Sequence, residues 1–325
     1  MKLVVQIPCF DEEKTLGATV ADLPTTVAGV REIALVVVDD GSADRTASVA
    51  ESLGAVTNRL PARRGLARAF MAGIETSLAL GADVIVNTDG DNQYVGADIA
   101  RLVEPIVAGR ADVVIGARPI AEIAEFSAAK KLLQRVGSSV VRRLAGVYVA
   151  DATSGFRAYS REAALRLNVF SRYTYTLETI VQAGQGGMRI LSVPIGVNRV
   201  ERPSRLSRGT GDYVVRAGID LARMFVVYRP FRFFAIPAAL SIVAGAALVA
   251  RFVALFVQSG GASGHVQSLI AATILLGIGG ALIVVALLGD LIAINRRLLE
   301  DVRLADRRER LRPGRSTAQR AAGPA

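Results

Sequence analysis

Asp89 and Asp91 flank a single glycine at the end of the apolar run 84–86, and Asn92, Gln93 and Tyr94 follow. If that run is a buried strand, its end delivers two carboxylates to one point, and Gly90 lets the backbone turn sharply between them. Carboxylates so placed can converge on one hard cation. Mg²⁺ and Mn²⁺ take a few carboxylates and complete their shells with substrate phosphate oxygens. The chemistry would be a metal held against a nucleotide diphosphate. The same residue types also suit an ordinary acidic turn, in which Asp and Gly satisfy loop geometry.

Other polar groups recur in the same place relative to apolar runs. The run 3–7 leads into Pro8, Phe10, Asp11 and Glu12; the run 33–38 leads into Asp39, Asp40 and Gly41; and 113–117 leads into Arg118. Helical periodicity is predicted for 15–23, 46–53, 65–80 and 98–108, with a weaker strand at 55–58. Fully apolar strands alternating with helices predict an α/β fold built on a mostly parallel, Rossmann-like sheet covered on both faces. Ligands of such sheets sit at the carboxyl ends of the strands, where the polar groups named above would gather. Neither a Gly-x-Gly-x-x-Gly fingerprint nor a phosphate-binding Gly-Lys-Ser/Thr loop is present, which argues against dinucleotide and P-loop chemistry.

Further along, 151–158 reads as a compact polar turn, 173–184 as a helix carrying Glu178, and 190–200 as an extended return. Arg199, Arg202, Arg205 and Arg208 then cluster with Ser204 and Ser207, and arginine forks match phosphate oxygens. The segments 126–147 and 212–228 are expected to be amphipathic, basic interfacial helices.

The composition narrows the options. Among 325 residues there is one cysteine, Cys9, so disulfides and cysteine metal sites are excluded; there is no tryptophan. The only histidine, His265, lies between two apolar runs, which excludes histidine base chemistry and histidine-bound zinc in the region before it. No signal peptide is expected at the start. The formal charge of +10 gathers at the arginine loop and beside the apolar runs, without interleaved stacking aromatics, which argues against nucleic acid as a partner.

Two apolar segments, expected as transmembrane helices over 229–257 and 267–294, reach the roughly 20 residues that cross a bilayer. The link 258–266 contains no Lys or Arg, whereas Arg223, Arg229 and Arg232 precede the first span and Arg296, Arg297 and Arg303 follow the second. The positive-inside rule predicts a multi-pass protein of the inner (plasma) membrane whose domain 1–228 is cytoplasmic. The remainder, 295–325, is expected to be a basic, disordered tail.

Taken in order, Pro-Cys-Phe-Asp-Glu (8–12), Val-Val-Asp-Asp-Gly-Ser (37–42), Asp-Gly-Asp-Asn-Gln (89–93), Gly-Ala-Arg (116–118), Ser-Gly-Phe-Arg (154–157) and Arg-Pro-Ser-Arg-Leu (202–206) resemble the family 2 glycosyltransferases of GT-A fold. The resemblance is narrower to the branch of dolichyl-phosphate mannose synthase and the bacterial polyprenyl-phosphate glycosyltransferases, and covers residues 3–230. It implies that Pro8, Phe10 and Glu12 line a base and ribose pocket, that Asp39 reads the base, and that Asp89 and Asp91 hold Mg²⁺ or Mn²⁺ with Gln93 beside them. Gly90, Arg202 and Arg205 would complete the nucleotide-sugar site. Arg118, Lys131 and Ser204 would meet the acceptor phosphate, with Arg118 and Arg202 also counted as catalytic. Gly90, Asn92 and Tyr94 depart from the usual Asp-Ala-Asp-Leu-Gln run.

The expected reaction is inverting transfer of a hexose, from GDP-mannose or UDP-glucose, to polyprenyl phosphate. A phosphate oxygen is already ionised and needs no catalytic base. A lipid or sugar hydroxyl acceptor would need one, with Glu178 a candidate, and a non-catalytic membrane scaffold is a further alternative. Besides membrane lipids, a separate flippase is an expected partner.

Overall fold

The computed structural model describes residues 1–119, 142, 145–169, 175–198, 219, 222–223, 225–260 and 266–311. The chain divides into one unit of residues 1–217 and 302–325 and a second of residues 218–301.

The first unit is built on a seven-stranded sheet. Its strands are β1 (Lys2–Cys9), β2 (Glu32–Asp39), β3 (Val56–Arg59), β4 (Val84–Asn87), β5 (Val113–Ala117), β6 (Arg157–Ser160) and β7 (Ile190–Pro194), in spatial order β3-β2-β1-β4-β6-β5-β7. Only β6 runs antiparallel to its neighbours. The helices are α1 (Leu16–Ala21), α2 (Thr46–Ser52), α3 (Leu66–Ala79), α4 (Ile99–Val107), α5 (Arg161–Arg166) and α6 (Thr176–Gln185). Strands β1 and β4 are apolar because both their faces are covered: Leu3, Val5, Ile7, Val84 and Val86 pack with Ile99, Leu102 and Val103 of α4. Burying each such side chain contributes about 1.5–3 kcal/mol.

Register matters more than strand count for the site. Gln6 of β1 pairs with Asn87 of β4, and Asn87 pairs on its other side with Arg157 of β6. Cys9 pairs with Asp39. The carboxyl ends of β1, β2 and β4 therefore open on one edge, with the start of β6 beside them.

Two sequence readings are corrected here. Residues 151–158 are not all turn, because Arg157 and Ala158 begin β6, a strand in the middle of the sheet. The alternation that marks a strand is hidden there by an arginine that is fully buried. The tail does not begin at 295 either: the helix α8 (Val266–Arg310) continues without interruption. Its charged end is held by ion pairs one turn apart, Arg296 with Glu300 and Arg310 with Asp306, and by docking within the first unit. There Arg307 donates to the carbonyls of Leu165 (3.0 Å) and Leu167 (2.7 Å) and pairs with Glu75 at 3.1 Å, while Arg308 pairs with Glu162. Residues 312–325, and the interfacial helices apart from scattered positions, lie outside the described residues.

The second unit contains α7 (Pro230–Gln258) and most of α8, which among the described residues are the two helices long and apolar enough to cross a membrane, with mean hydropathy 2.3 and 2.6 over their most apolar stretches. Gly245 lies against Leu276, Gly279 against Ile242, and Gly289 against Pro230. Contact positions that rise in one helix as they fall in the other make an antiparallel hairpin. The glycines let its backbones approach, as small residues do between membrane helices.

Candidate active site

Asp89 follows Asn87 and Thr88 at the end of β4, and its surroundings are set by a buried polar network. Gln6 donates to Asn87 Oδ1 (2.9 Å); Asn87 Nδ2 donates to the Gly155 carbonyl (2.9 Å) and to the Tyr175 hydroxyl (2.8 Å). The Gly155 N–H donates to the Tyr94 hydroxyl at 3.0 Å. Tyr175 stacks on Phe70 at 3.9 Å, and Tyr94 on Phe156 at 5.0 Å. The network presses Gly155 flat against Asp89: a Cβ there would stand 3.0 Å from both carboxylate oxygens and 2.9 Å from the Tyr175 hydroxyl. Gly155→Ala is therefore expected to displace the Asp89 carboxylate and weaken Mn²⁺ or Mg²⁺ binding at least tenfold while the fold survives. Metal titration monitored by thermal shift, with far-UV circular dichroism as the fold control, checks this.

On the Asp91 side the loop is fixed by backbone. Asp91 Oδ1 accepts from Gln93 N at 3.1 Å, and Asn92 takes a positive φ of 56°, which Asn tolerates better than most residues. Asn198 N donates to the Gln93 carbonyl (2.8 Å), and its side chain donates to the Asn92 carbonyl at 3.1 Å. Below, a Cβ on Gly90 would meet Cys9 Sγ at 2.9 Å and Glu12 Cγ at 3.3 Å. Thr15 Oγ1 lies 2.8 Å from both the Gly90 carbonyl and Glu12 Oε2, and its single proton can be donated to either.

Burial, reinforced by the neighbouring Asp91 charge, pushes the Asp89 pKa up to about 7, although Arg118 and Arg157 oppose the shift. Among the described residues no donor hydrogen-bonds to this carboxylate. A desolvated carboxylate facing a second one is an arrangement that a cation completes. No third His, Cys, Asp or Glu joins the two among the described residues, so a metal here would need phosphate or water oxygens as well, which suits Mg²⁺ or Mn²⁺.

A pH dependence follows. Without metal, the folded protein keeps on Asp89 a proton that the unfolded chain gives up above its ordinary pKa of 3.8. This group's contribution to stability thus falls as pH rises from about 4 to 7. Metal must displace that proton, so the gain in melting temperature on adding Mg²⁺ to the EDTA-treated protein is expected to be larger at pH 8 than at pH 6. Scanning fluorimetry at both values reads it, and an equal gain contradicts the assignment.

The remaining sequence-derived site residues fall as follows. Asp39 is fully buried: Oδ1 accepts from Ser42 N (2.9 Å) and Oδ2 lies 3.3 Å from Arg59 Nε. Its neighbour Asp40 instead closes the loop before α3, accepting from Arg64 N (2.7 Å) and Gly65 N (2.8 Å). Phe10 carries the Arg63 guanidinium over its ring at 4.0 Å, and Pro8 is a buried residue of β1 beside Val38. Arg118 is nearly buried, with Nε and Nη2 committed to Asp151 (2.7 and 3.2 Å) and Nη2 also to Thr153 (2.8 Å). Burial alone would raise the Asp151 pKa, but the Arg118 charge and hydrogen bonds hold it below the usual carboxylate value. Glu178 is buried on α6. Lys131, Arg202, Ser204 and Arg205 lie outside the described residues.

Sequence reasoning did not single out Asn87, Gly155, Arg157, Asp151 or Asn198 as parts of the site. Arg157 carried a usable signal: a lone charge among Phe156, Ala158 and Tyr159 suggests a buried guanidinium with backbone partners. It donates to the carbonyls of Ser154 (2.7 Å), Ala152 (2.8 Å) and Thr176 (2.7 Å) and to Thr179 Oγ1 (2.8 Å), so it ties the 152–154 turn to α6.

A mostly parallel sheet with two carboxylates gathered at its carboxyl edge is the architecture of a GT-A glycosyltransferase. The model of the family "Glycosyl transferase family 2" matches residues 4–167, and the chain belongs to that family. Among its relatives is the polyprenol monophosphomannose synthase of Mycolicibacterium smegmatis, 28% identical over 68% of this chain and 86% of that protein. Another is the undecaprenyl-phosphate mannosyltransferase of Micrococcus luteus, 30% identical over 69% of this chain and 93% of that protein. The fold is shared with the glucosyl-3-phosphoglycerate synthase of Mycobacterium tuberculosis, at TM-score 0.53 and 22% identity over 69% of this chain and 79% of the other. That enzyme has been crystallised with Mn²⁺ and UDP-glucose.

Proposed function

We propose that this protein transfers a hexose, with inversion, from a nucleotide sugar to polyprenyl phosphate at the cytoplasmic face of the inner (plasma) membrane. The observation that carries the reading is the Asp89–Asp91 pair at the strand edge in a chain that also contains two membrane-length helices. The relatives named for polyprenyl-phosphate substrates support the acceptor class. GDP-mannose and UDP-glucose are the leading donors.

When bound, Mg²⁺ or Mn²⁺ would offset the charge that grows on the leaving diphosphate. Asp89 and Asp91 would hold it, with Gln93 beside them. The donor base would lie against Phe10 near Asp39, with Pro8, Glu12 and Gly90 along the pocket. Arg118 keeps Nη1 for an acceptor phosphate while Asp151 fixes the rest of its fork, and Lys131 and Ser204 would complete that subsite. Arg202 follows Asn198, itself bonded to Gln93, by four residues, a reach of at most about 14 Å. That suits Arg202 and Arg205 to the donor phosphates. The acceptor phosphate is ionised at neutral pH, so the attack on the anomeric carbon needs no base. Cations at both flanks of the hairpin and none in the 258–266 link support a cytoplasmic catalytic unit. The product then needs a separate flippase to cross.

The test is transfer by purified protein in detergent with radiolabelled GDP-mannose or UDP-glucose, polyprenyl phosphate and Mg²⁺ or Mn²⁺. Label is expected in an organic-soluble, mild-acid-labile product that vanishes with EDTA. Nucleotide-sugar binding without lipid product would turn the reading to another acceptor, and absence of both would turn it to a scaffold.

A further inference from the structure

The last turns of α8 carry arginines with partners that a solvated tail would not need. Residues 302–311 belong to the first unit, and Arg307 is only 9% exposed there. Its Nη1 donates to the carbonyls of Leu165 and Leu167 at the end of α5, where a helix leaves its final carbonyls without partners of its own. Its Nη2 donates to Glu75 on α3. Burying a guanidinium is costly unless it is paired and hydrogen-bonded, and these three bonds meet that requirement. One side chain thus ties α3 to the end of α5.

Arg303, one turn earlier, ties in α6. It donates to Asn168 Oδ1. Asn168 is buried and bonded twice to Gln182 of α6: its N–H donates to Gln182 Oε1 at 3.0 Å, and its carbonyl accepts from Gln182 Nε2. The same two helices, α3 and α6, back the carboxylate site. Phe70 precedes Glu75 on α3, Tyr175 is the residue just before α6, and their rings stack at 3.9 Å. The Tyr175 hydroxyl accepts from Asn87 at 2.8 Å and lies beside Gly155, which in turn lies against Asp89.

We propose that Arg303 and Arg307 are positioning residues for the reaction. By joining α3 and α6 they set the Phe70–Tyr175 stack and, through Tyr175 and Gly155, the place of the Asp89 carboxylate. The proposal rests on the reading that Asp89 holds the cation used in transfer. A shift of either helix at the clamp is carried to its ring, about 8 Å away along α3 and about 10 Å along α6 at 1.5 Å per residue. The catalytic unit is accordingly completed by residues that follow the membrane hairpin in the chain.

The experiment measures Mn²⁺ binding to the purified full-length protein in detergent, from the electron paramagnetic resonance signal of free Mn²⁺, together with the Mn²⁺ dependence of sugar transfer. Arg307→Met is expected to raise the Mn²⁺ dissociation constant at least fivefold and to move the half-saturating Mn²⁺ of transfer by the same factor. At saturating Mn²⁺ its rate should return to within twofold of that of the unaltered protein. General damage would instead lower the saturated rate and leave the Mn²⁺ dependence in place. Glu75→Gln keeps Arg307 on its carbonyls and weakens only the α3 arm, so a shift of at least twofold in the same direction is expected. That variant decides the matter if circular dichroism shows Arg307→Met unfolded. Arg308→Met, which removes an exposed ion pair with Glu162, should bind Mn²⁺ as the unaltered protein does. Unchanged Mn²⁺ binding in the deciding variant, a lowered saturated rate without a Mn²⁺ shift, or an equal shift in Arg308→Met would overturn the proposal and leave the reading of the reaction intact. The expected Mn²⁺ shifts in a protein that transfers no sugar would uphold the clamp and refute that reading.

Discussion

Asp91→Asn is expected to lower sugar transfer about a thousandfold, the scale on which loss of a group that stabilises developing charge acts. The substitution is nearly isosteric, and the Gln93 N–H can still be accepted by the amide oxygen, so the loop should keep its shape. It removes one of the two carboxylates available to a cation. It also removes the like charge that, after burial, contributes most to raising the Asp89 pKa. The same variant should therefore show two opposite changes. Without metal at pH 8 it is expected to melt higher than the unaltered protein, because two facing charges no longer repel. With Mg²⁺ its melting temperature should scarcely rise. A merely misfolded protein would not melt higher without metal, which separates a site effect from general damage. Initial transfer rates and melting curves with and without EDTA check both. Full activity in Asp91→Asn would remove the pair from the chemistry.

Arg157→Met should have the largest effect on stability. Methionine fills much of the arginine's volume but none of its hydrogen bonds. The buried carbonyls of Ala152 and Ser154 would lose their guanidinium donors, and the Thr176 carbonyl and Thr179 Oγ1 would keep only the local bonds of the threonine hydroxyl within α6. Each such group costs about 1–3 kcal/mol; allowing for partial relaxation, the total is about 3–5 kcal/mol. For a catalytic unit of this size that lowers the melting temperature on the order of 10 °C. The loss should reach the site as well, because the turn that Arg157 holds ends at Gly155, which lies against Asp89. Arg157→Lys is expected to rescue little: a lysine is a point charge without the fork that serves partners in several directions. Thermal denaturation of both variants, with metal affinity as the second readout, checks this. Unchanged melting in Arg157→Met would show that the buried hydrogen bonds contribute little.

The readable and the hidden parts of this molecule differ for physical reasons. Strands β1, β2, β4 and β5 are covered on both faces, so continuous apolar runs announce them, and their polar ends point to the site edge. Strand β6 is as buried as they are, yet its arginine is satisfied by backbone carbonyls and so reads as turn. Asp39 and Asp40 look equivalent in sequence. Only the structure separates a fully buried carboxylate beside Arg59 from one that closes a loop. The role of Asn87 in positioning Gly155 depends on a register between distant segments that no local pattern records. The extent of α8 was hidden similarly. Its last turns are charged like a solvated tail, but Arg307 finds carbonyl and carboxylate partners more than a hundred residues away in sequence.

The most direct test of the central claim compares two acceptors that differ only in the phosphate. Polyprenyl phosphate and the free polyprenol of the same chain length would each be offered with the donor that supports transfer and with Mg²⁺. Product from the phosphate alone, labile to mild acid and absent in Asp91→Asn, is the result expected of a site that uses an ionised acceptor and no catalytic base. Equal or faster transfer to the free alcohol would contradict it.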